Sequence, residues 1–281
     1  MKKILVLSAG FLSILILSTV IIVFSSPDGD WNTNVQLTLQ APSWAHWFGT
    51  DSLGRDLLFR TIAGARVTLF MGLACSVMAF VIGVTYGSIS AYFGGWIDQV
   101  MMRGLEIMIS IPQMITIGLI IILFTAKGSG AAGGFGLLKL AFAISLGSWM
   151  TFARLSRNLA LREKTFLYVD AAITIGANPV RIFYRHILPN LMPSLLVMVG
   201  LQLPNFLLFE SFLSFLGLGV PPPVASWGVL LQEGWRTMAV YPHLLLLPSL
   251  VLFLTVFSLN IVFDQLRGRL MRKFEVIDIH H

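Results

Sequence analysis

Long apolar runs separated by short polar connections organise this chain from end to end. Six stretches are candidates for a bilayer: about Ile4 to Phe24, Val67 to Tyr92, Ile107 to Ala126, Leu140 to Phe152, Leu191 to Phe209 and Val240 to Phe263. A helix needs about 20 mostly apolar residues at 1.5 Å rise each to cross the hydrocarbon core. All but the fourth stretch meet that requirement unaided. The fourth reaches it when extended back through GGFGLLKL, with Lys139 near one end, where a long side chain snorkels toward water. The pattern predicts an all-α fold, a polytopic membrane bundle with six transmembrane helices. The first run follows Met-Lys-Lys, a basic start that a secretory signal peptide shares. Its apolar core is long, however, and SSPDGDW has no small-x-small cleavage site, so a retained helix is expected.

Composition agrees with a membrane protein. Of 281 residues, 56% are hydrophobic and only 11% charged, against roughly 25% charged in an ordinary soluble domain. Charge placement then orients the bundle. With the N-terminus inside, Lys2, Lys3, Arg103, the group Arg154, Arg157, Arg162, Lys164, Arg181 and Arg185, and the tail Arg267, Arg269, Arg272 and Lys273 fall on the cytoplasmic side. That leaves Arg55, Arg60, Arg66, Lys127, Lys139 and Arg236 outside. Basic residues concentrate in cytoplasmic connections, so a multi-pass protein of the cell inner membrane with both termini cytoplasmic is expected. The net charge of +6 reflects this excess and its attraction to membrane lipids, and no nucleic-acid partner is indicated. The single cysteine, Cys75, lies inside the second run, where it reads as packing material and leaves neither an intrachain disulfide nor a thiolate metal site.

The connections carry most of the local signals. Residues 25 to 66 begin as a Ser, Pro, Asp and Gly linker and continue as SWAHWFGTDSLGRDLLFRTIAGAR, in which Trp44 and Trp47 suit the headgroup level. Asp51 is expected to cap a helix from about Leu53, with Asp56 in its early turns and Arg60 and Arg66 later, the charge order a helix dipole favours. An interfacial helix would then feed the second span. Gly83 and Gly87 in that span form a small-xxx-small face for another helix. FGGWIDQVMMRG reads as a tight inside turn, and TAKGSGAAGGFG as a glycine-rich turn without the GxxxxGK[ST] spacing of a phosphate loop. The last outside connection, FLSFLGLGVPPPVASWGVLLQEGW, has three prolines that forbid a continuous helix, so a re-entrant or surface-lying element is predicted. Three parts result: residues 1–66 as an N-terminal helix with its external connection, 67–270 as a core of five spans, and 271–281 as a tail.

One polar interruption is unusually ordered. Residues 168 to 190 read YVDAAITIGANPVRIFYRHILPN. A helix from Thr165 to about Ile175 would gather Phe166, Tyr168, Val169, Ala172 and Ile173 on an apolar side, with Glu163 and Asp170 polar. Gly176 closes it in the left-handed conformation that glycine supplies, and Asn178-Pro179 starts a second short helix carrying Arg181, Arg185 and His186. Leu188-Pro189 is expected to bend the chain into the fifth span. Ala171 and Ala172 make the first helix thin, which suits either close docking in another protein's groove or plain helix propensity.

At these residues the chain resembles a known family. Asp170-Ala171-Ala172, Gly176 and His186-Ile187-Leu188-Pro189 are similar to the EAA motif of binding-protein-dependent ATP-driven importers. HWFGTDSLGRDLLFRTIAGARVTL and SFLGLGVPPPVASWGVLL resemble segments of the dipeptide, oligopeptide and nickel permease subunits, as does FLTVFSLNIVFDQLR in the final helix. The resemblance implies the type I importer permease fold, whose five spans after the first surround a path. It implies coupling to an ATPase through Asp170, Ala171, Ala172, Gly176, Leu188 and Pro189, and an external family motif at Gly49, Thr50, Asp51, Gly54, Arg55 and Asp56. The implied partners are a homologous second permease, two ATPase subunits and an extracytoplasmic substrate-binding protein. No cofactor is expected on this chain, while ATP and Mg belong to the ATPases. Two positions depart from the pattern: Asp170 stands where the family usually has Glu, and Phe263-Asp264-Gln265-Leu266-Arg267 where it has a Gly-Asp-Gly-Leu-Arg-like run.

The chain itself shows no hydrolytic chemistry, neither a phosphate loop nor a Ser-His-Asp spacing. A moving conduit rather than an enzyme is expected, importing peptides, with nickel or a metal chelate as the alternative cargo and a non-transporting scaffold as a rival class. Asp170 has two readings, a partner cation or an internal pair with Arg162 or Arg185. Glu210, at the outer end of the fifth span, is a candidate pathway carboxylate, or else it caps the turn at Ser211 or pairs with Arg236. Arg103 and Glu106 form either a gate contact or a local pair. His280-His281 suggest weak metal affinity or an expression tag.

Overall fold

A computed structural model of the chain describes residues 2–25, 33–125, 134–220 and 224–278. The elements described are helices: α1 (Lys2–Ser25), a short 3-10 turn (Val35–Leu37), α2 (Leu57–Phe93), α3 (Gly95–Ser110), α4 (Gln113–Thr125), α5 (Gly134–Ser148), α6 (Met150–Glu163), α7 (Leu167–Thr174), α8 (Pro179–Ile182), α9 (Leu188–Phe215), α10 (Trp227–Thr237) and α11 (His243–Asp278). Among the described residues four helical segments are long and apolar enough to cross a membrane: Lys3–Ile22, Leu57–Phe93, Val180–Phe215 and His243–Gly268. Two bent pairs raise the number to as many as six if each is one span.

Those bent pairs correct the expected third and fourth spans. The run from Ile107 to Ala126 is broken by 90° between α3 and α4, because Ile111 is extended and Pro112 has no N–H to continue the ladder. The run through Leu140 to Phe152 bends by 54° at Trp149. The glycines before Trp96 make a shorter turn than FGGWIDQVMMRG suggested. Gly94 and Gly95 take positive φ, and α3 starts at once, placing Asp98 in its first turn. The Gly-rich stretch 126–133 and Pro221 to Pro223 lie outside the described residues, as do His280 and His281.

Two compact units make up the chain. One comprises Met1–Leu73, Gly128–Leu140 and Leu203–His281, and the other Ala74–Lys127 and Ala141–Gln202. In the first, Leu15, Leu57, Ala65, Trp227, Leu230, Leu244 and Leu252 form a core. The expected surface element of the last outside connection is α10, which turns Trp227, Gly228, Val229, Leu230 and Gly234 inward. Ser226 caps it by accepting from the Val229 N–H, and the Trp227 indole N–H donates to the Thr61 carbonyl at 2.8 Å.

In the second unit the small-xxx-small face of α2 meets the backbone of α6. A Cβ on Gly83 would fall 2.4 Å from the Trp149 carbonyl oxygen, and one on Gly87 would fall 2.1 Å from that of Ala153. No side chain fits there, so glycine at both positions sets how closely the helices approach. Beside this contact, Val84, Ala91, Ala160, Val169, Ala172, Ile182, Phe183, Ile187, Leu191 and Leu195 close a second core.

Enlarging Gly87 tests this contact. Overpacking of this kind costs about 1–3 kcal/mol, so Gly87→Leu is expected to lower the detergent-solubilised melting temperature. Gly104→Ala, whose Cβ would meet only the Tyr86 hydroxyl at 3.9 Å, is expected to leave it unchanged. Thermal unfolding of the two variants side by side checks the difference.

Candidate functional site

The ordered interruption folds as its local signals require. α7 ends in a Schellman turn: the Ala177 N–H donates to the Ala172 carbonyl at 3.1 Å and the Gly176 N–H to that of Ile173 at 2.9 Å. Gly176 takes φ +79°, and no atom lies within 4 Å of where its Cβ would be, so backbone conformation alone demands glycine there. Asn178 Oδ1 accepts from the Val180 N–H at 2.9 Å and starts α8 at Pro179. The expected bend at Leu188-Pro189 is absent. α8 instead passes through a π-helical turn, Phe183–Ile187, into α9, with the Leu188 N–H reaching back five residues to Phe183. Widening the turn there accommodates Pro189, whose ring would otherwise meet the carbonyl four residues earlier.

The apolar side of α7 is divided between two surroundings. Val169 and Ala172 are buried in this chain's own core, whereas Leu167 and Ile175 are each 84% exposed and Ile173 and Tyr184 also face outward. The small side chain of Ala172 seats α7 on the chain's own helices. Asp170 and Ala171 are exposed, Gly176 and Pro189 likewise, and Leu188 is half-buried. Among the described residues no ion pair holds Asp170, so neither Arg162 nor Arg185 claims it.

Polar ties that sequence reading missed fix this seat. Arg157 on α6 donates to Asp98 on α3 through Nε and Nη2, each at 2.5 Å, and the Ser90 hydroxyl donates to the same carboxylate. Lys164 donates to the carbonyls of Ala91 and Tyr92, placing a cation on the C-terminus of α2. The Tyr168 hydroxyl donates to Glu163 at 2.6 Å and also bonds Asn190 at the start of α9. Burial and the Glu163 carboxylate push the Tyr168 phenol up to about 12, so it stays protonated and keeps donating at physiological pH. Arg103 and Glu106 form the local pair, at 3.1 Å with both side chains more than half exposed, a geometry worth little in water.

The motif from Gly49 to Asp56 forms a second cluster, in the first unit. Its helix begins at Leu57, not Leu53, and is continuous with the second span rather than a separate interfacial piece. The cap is Asp56, whose Oδ1 accepts from the Phe59 N–H at 2.9 Å while Oδ2 meets His46 Nδ1 at 2.8 Å. Asp51 instead closes a loop, accepting from the N–H groups of Leu53 and Arg55 and from the Arg55 side chain. Gly54 and Gly49 have positive φ, and a Cβ on either would strike backbone oxygen, that of Asn34 at 1.9 Å or Gln40 at 2.3 Å. Thr50 donates to the Leu37 carbonyl and accepts from the Gln40 N–H. Arg60, only 2% exposed, lies between Asp51 at 2.6 Å and Glu233 of α10 at 2.5 Å, joining two distant segments.

Glu210 is bonded within its own chain. It is fully buried, with the Ser214 hydroxyl donating to it at 2.8 Å and that of Ser211 at 3.4 Å. Hydroxyls of Ser226 and Thr68 also bond it. Thr68 and Ser226 accept backbone N–H groups of α10, from Trp227 and Val229, so the carboxylate locks α10 to α2 and α9. Arg236 plays no part in this lock.

Comparison with known proteins follows the same lines. The family model for the binding-protein-dependent transport system inner membrane component matches residues 83–276. The chain is 39% identical over 238 residues to the oligopeptide transport system permease protein OppC of Bacillus subtilis, covering 85% of this chain and 75% of that protein. It is 41% identical over 257 residues to OppC of Escherichia coli K12, covering 91% and 81%, and 36% identical over 273 residues to the dipeptide permease protein DppC of B. subtilis, covering 96% and 82%. Among solved structures, an inward-facing MetNI methionine ABC transporter chain aligns with a TM-score of 0.61 at 18% identity, over 75% of this chain and 95% of that one. That last likeness shows the fold alone.

Replacing Glu210 discriminates a lock from a pathway contact. Glu210→Gln keeps an acceptor for the hydroxyls and is expected to retain near wild-type thermal stability and solute uptake. Glu210→Leu strands several buried hydroxyls at a cost of about 1–3 kcal/mol each and is expected to reduce the folded yield. Loss of uptake by Glu210→Gln at normal stability would support the pathway role.

Proposed function

The chain belongs to the family of binding-protein-dependent transport system inner membrane components, and from that premise we propose that it conducts dipeptides or oligopeptides inward across the cell membrane. As a permease subunit of an ATP-binding cassette importer it carries no ATPase chemistry, which resides on separate subunits. Its similarity to oligopeptide and dipeptide permeases supports the peptide cargo.

In this reading residues 1–66 are an N-terminal helix and external connection, 67–270 a core of five spans, and 271–281 a tail. α7 and the turn after it face the cytosol, as do both termini, in keeping with the cluster Arg154 to Arg185. Two ATPase subunits engage α7 from below, a homologous second permease completes the path, and an extracytoplasmic binding protein delivers peptide at the outer face. Nucleotide binding draws the ATPases together. Because α7 is clamped to α2, α6 and α9, the helices carrying it move as a body and exchange inward-open for outward-open states.

One observation carries the coupling role. α7 and its C-terminal cap expose Leu167, Ile173 and Ile175 while Val169 and Ala172 anchor the helix from behind, an apolar face left uncovered on a fixed base. Asp170, Ala171 and Gly176 lie on the uncovered side, with Leu188 and Pro189 at the start of the helix that follows.

Two alanine positions separate docking from seating. In the assembled complex reconstituted with its binding protein, Ala171→Trp is expected to cut peptide uptake about tenfold or more, the order expected when a hot-spot contact is lost, with melting temperature unchanged. Ala172→Trp is expected to lower the melting temperature itself. Normal uptake and substrate-stimulated ATP hydrolysis by Ala171→Trp would refute docking through this face.

A further inference from the structure

The two helix breaks in the second unit meet at one cavity. It has a volume of about 460 Å³, and its lining includes Pro112 and Gln113 at the α3–α4 break and Ser148 and Thr151 at the α5–α6 bend. Gln113 Nε2 donates to the Ser148 hydroxyl at 2.6 Å, which clasps one break to the other. Close packing holds this wall, since a Cβ on Gly147 would come 2.4 Å from Ile117.

α6 has two contrasting sides. Phe152, Ala153, Ser156 and Ala160 are buried, whereas Thr151, Arg154 and Asn158, spaced three and four residues apart on one face, line the cavity. Among the described residues no ion pair neutralises Arg154. Interrupted helices within a membrane span occur where the freed backbone is buried in protein or lines water, and half-helix N-termini in transporters point toward anionic groups. α4 starts at the cavity with Gln113, so its positive end and the Arg154 guanidinium reinforce each other.

We propose that this cavity is a transient binding site for the free carboxylate of a peptide in passage, with Arg154 as the charged contact and Thr151, Asn158 and Gln113 as neutral hydrogen-bonding neighbours. The assignment rests on the peptide-importer reading for its ligand, while the anion preference follows from the cavity itself. Arg154 sets the preference for a carboxylate terminus, and its forked donors match that group.

Thiol labelling of the assembled complex tests it. Cys75 is buried, so a cysteine introduced as Thr151→Cys supplies the reporter. Its rate with the anionic sulfonatoethyl methanethiosulfonate, relative to the cationic trimethylammonioethyl reagent, is expected to exceed the same ratio for a free thiol in solution by about tenfold. Adding Arg154→Gln is expected to abolish that preference and Arg154→Lys to retain much of it. A tripeptide is expected to slow labelling more than its C-terminal amide does. No anion preference, a preference indifferent to Arg154→Gln, or equal protection by peptide and amide would each overturn the assignment. Absence of peptide uptake by the unsubstituted complex would instead sink the parent reading, and the two failures are scored in separate assays.

Discussion

The backbone contact between α2 and α6 at Gly83 and Gly87 sets the packing on which the second unit depends. Apolar burial drives no helix association within lipid, so close van der Waals packing must hold the pair, and only glycine lets these backbones touch. From that contact α6 carries Arg157 to Asp98 and ends where Lys164 crowns α2. α7 follows directly, with Val169 and Ala172 pressed into the same core. α7 thus inherits its position from a pair of glycines in α2.

Polar chemistry does the corresponding work in the first unit. Arg60 is bonded by carboxylates from two distant segments, and Glu210 by hydroxyls from α2, α9 and the start of α10. Each is buried, so each depends on internal partners for the bonds water would give. The external motif and the last outside connection resemble family segments separately, and Arg60, Trp227 and Glu210 explain why they belong together: they are one assembled structure.

Legibility in the sequence followed locality. The turn at Gly176 and the cap at Asn178 were readable because each involves a handful of consecutive residues, and the small-xxx-small face because its spacing is periodic. Pro112 sat in view inside an apolar run, yet hydropathy alone does not distinguish a kinked span from a 90° break. Asp51 and Asp56 are equally good caps by residue type, and the choice between them was made by Gly54, whose positive φ stops a helix from starting at Leu53. Ala172 and Ile173 both fit an apolar side, but only three-dimensional packing assigns one to the core and leaves the other exposed. The roles of Asp98, Glu233 and Glu210 were hidden because their partners include residues 59 to 173 positions away in the first two cases and come from separate helices in the third.

The central claim is that α7 and the C-terminal part of α2 move as one body. Spin labels at Ile173→Cys on α7 and Ile89→Cys on α2, both exposed positions, report it directly by pulsed dipolar distance measurement in the assembled complex. The account predicts the same narrow distance distribution in the nucleotide-free and ATP-bound states. A distribution that shifts or broadens between those states would mean that α7 slides on its seat, and the rigid coupling described here would be wrong.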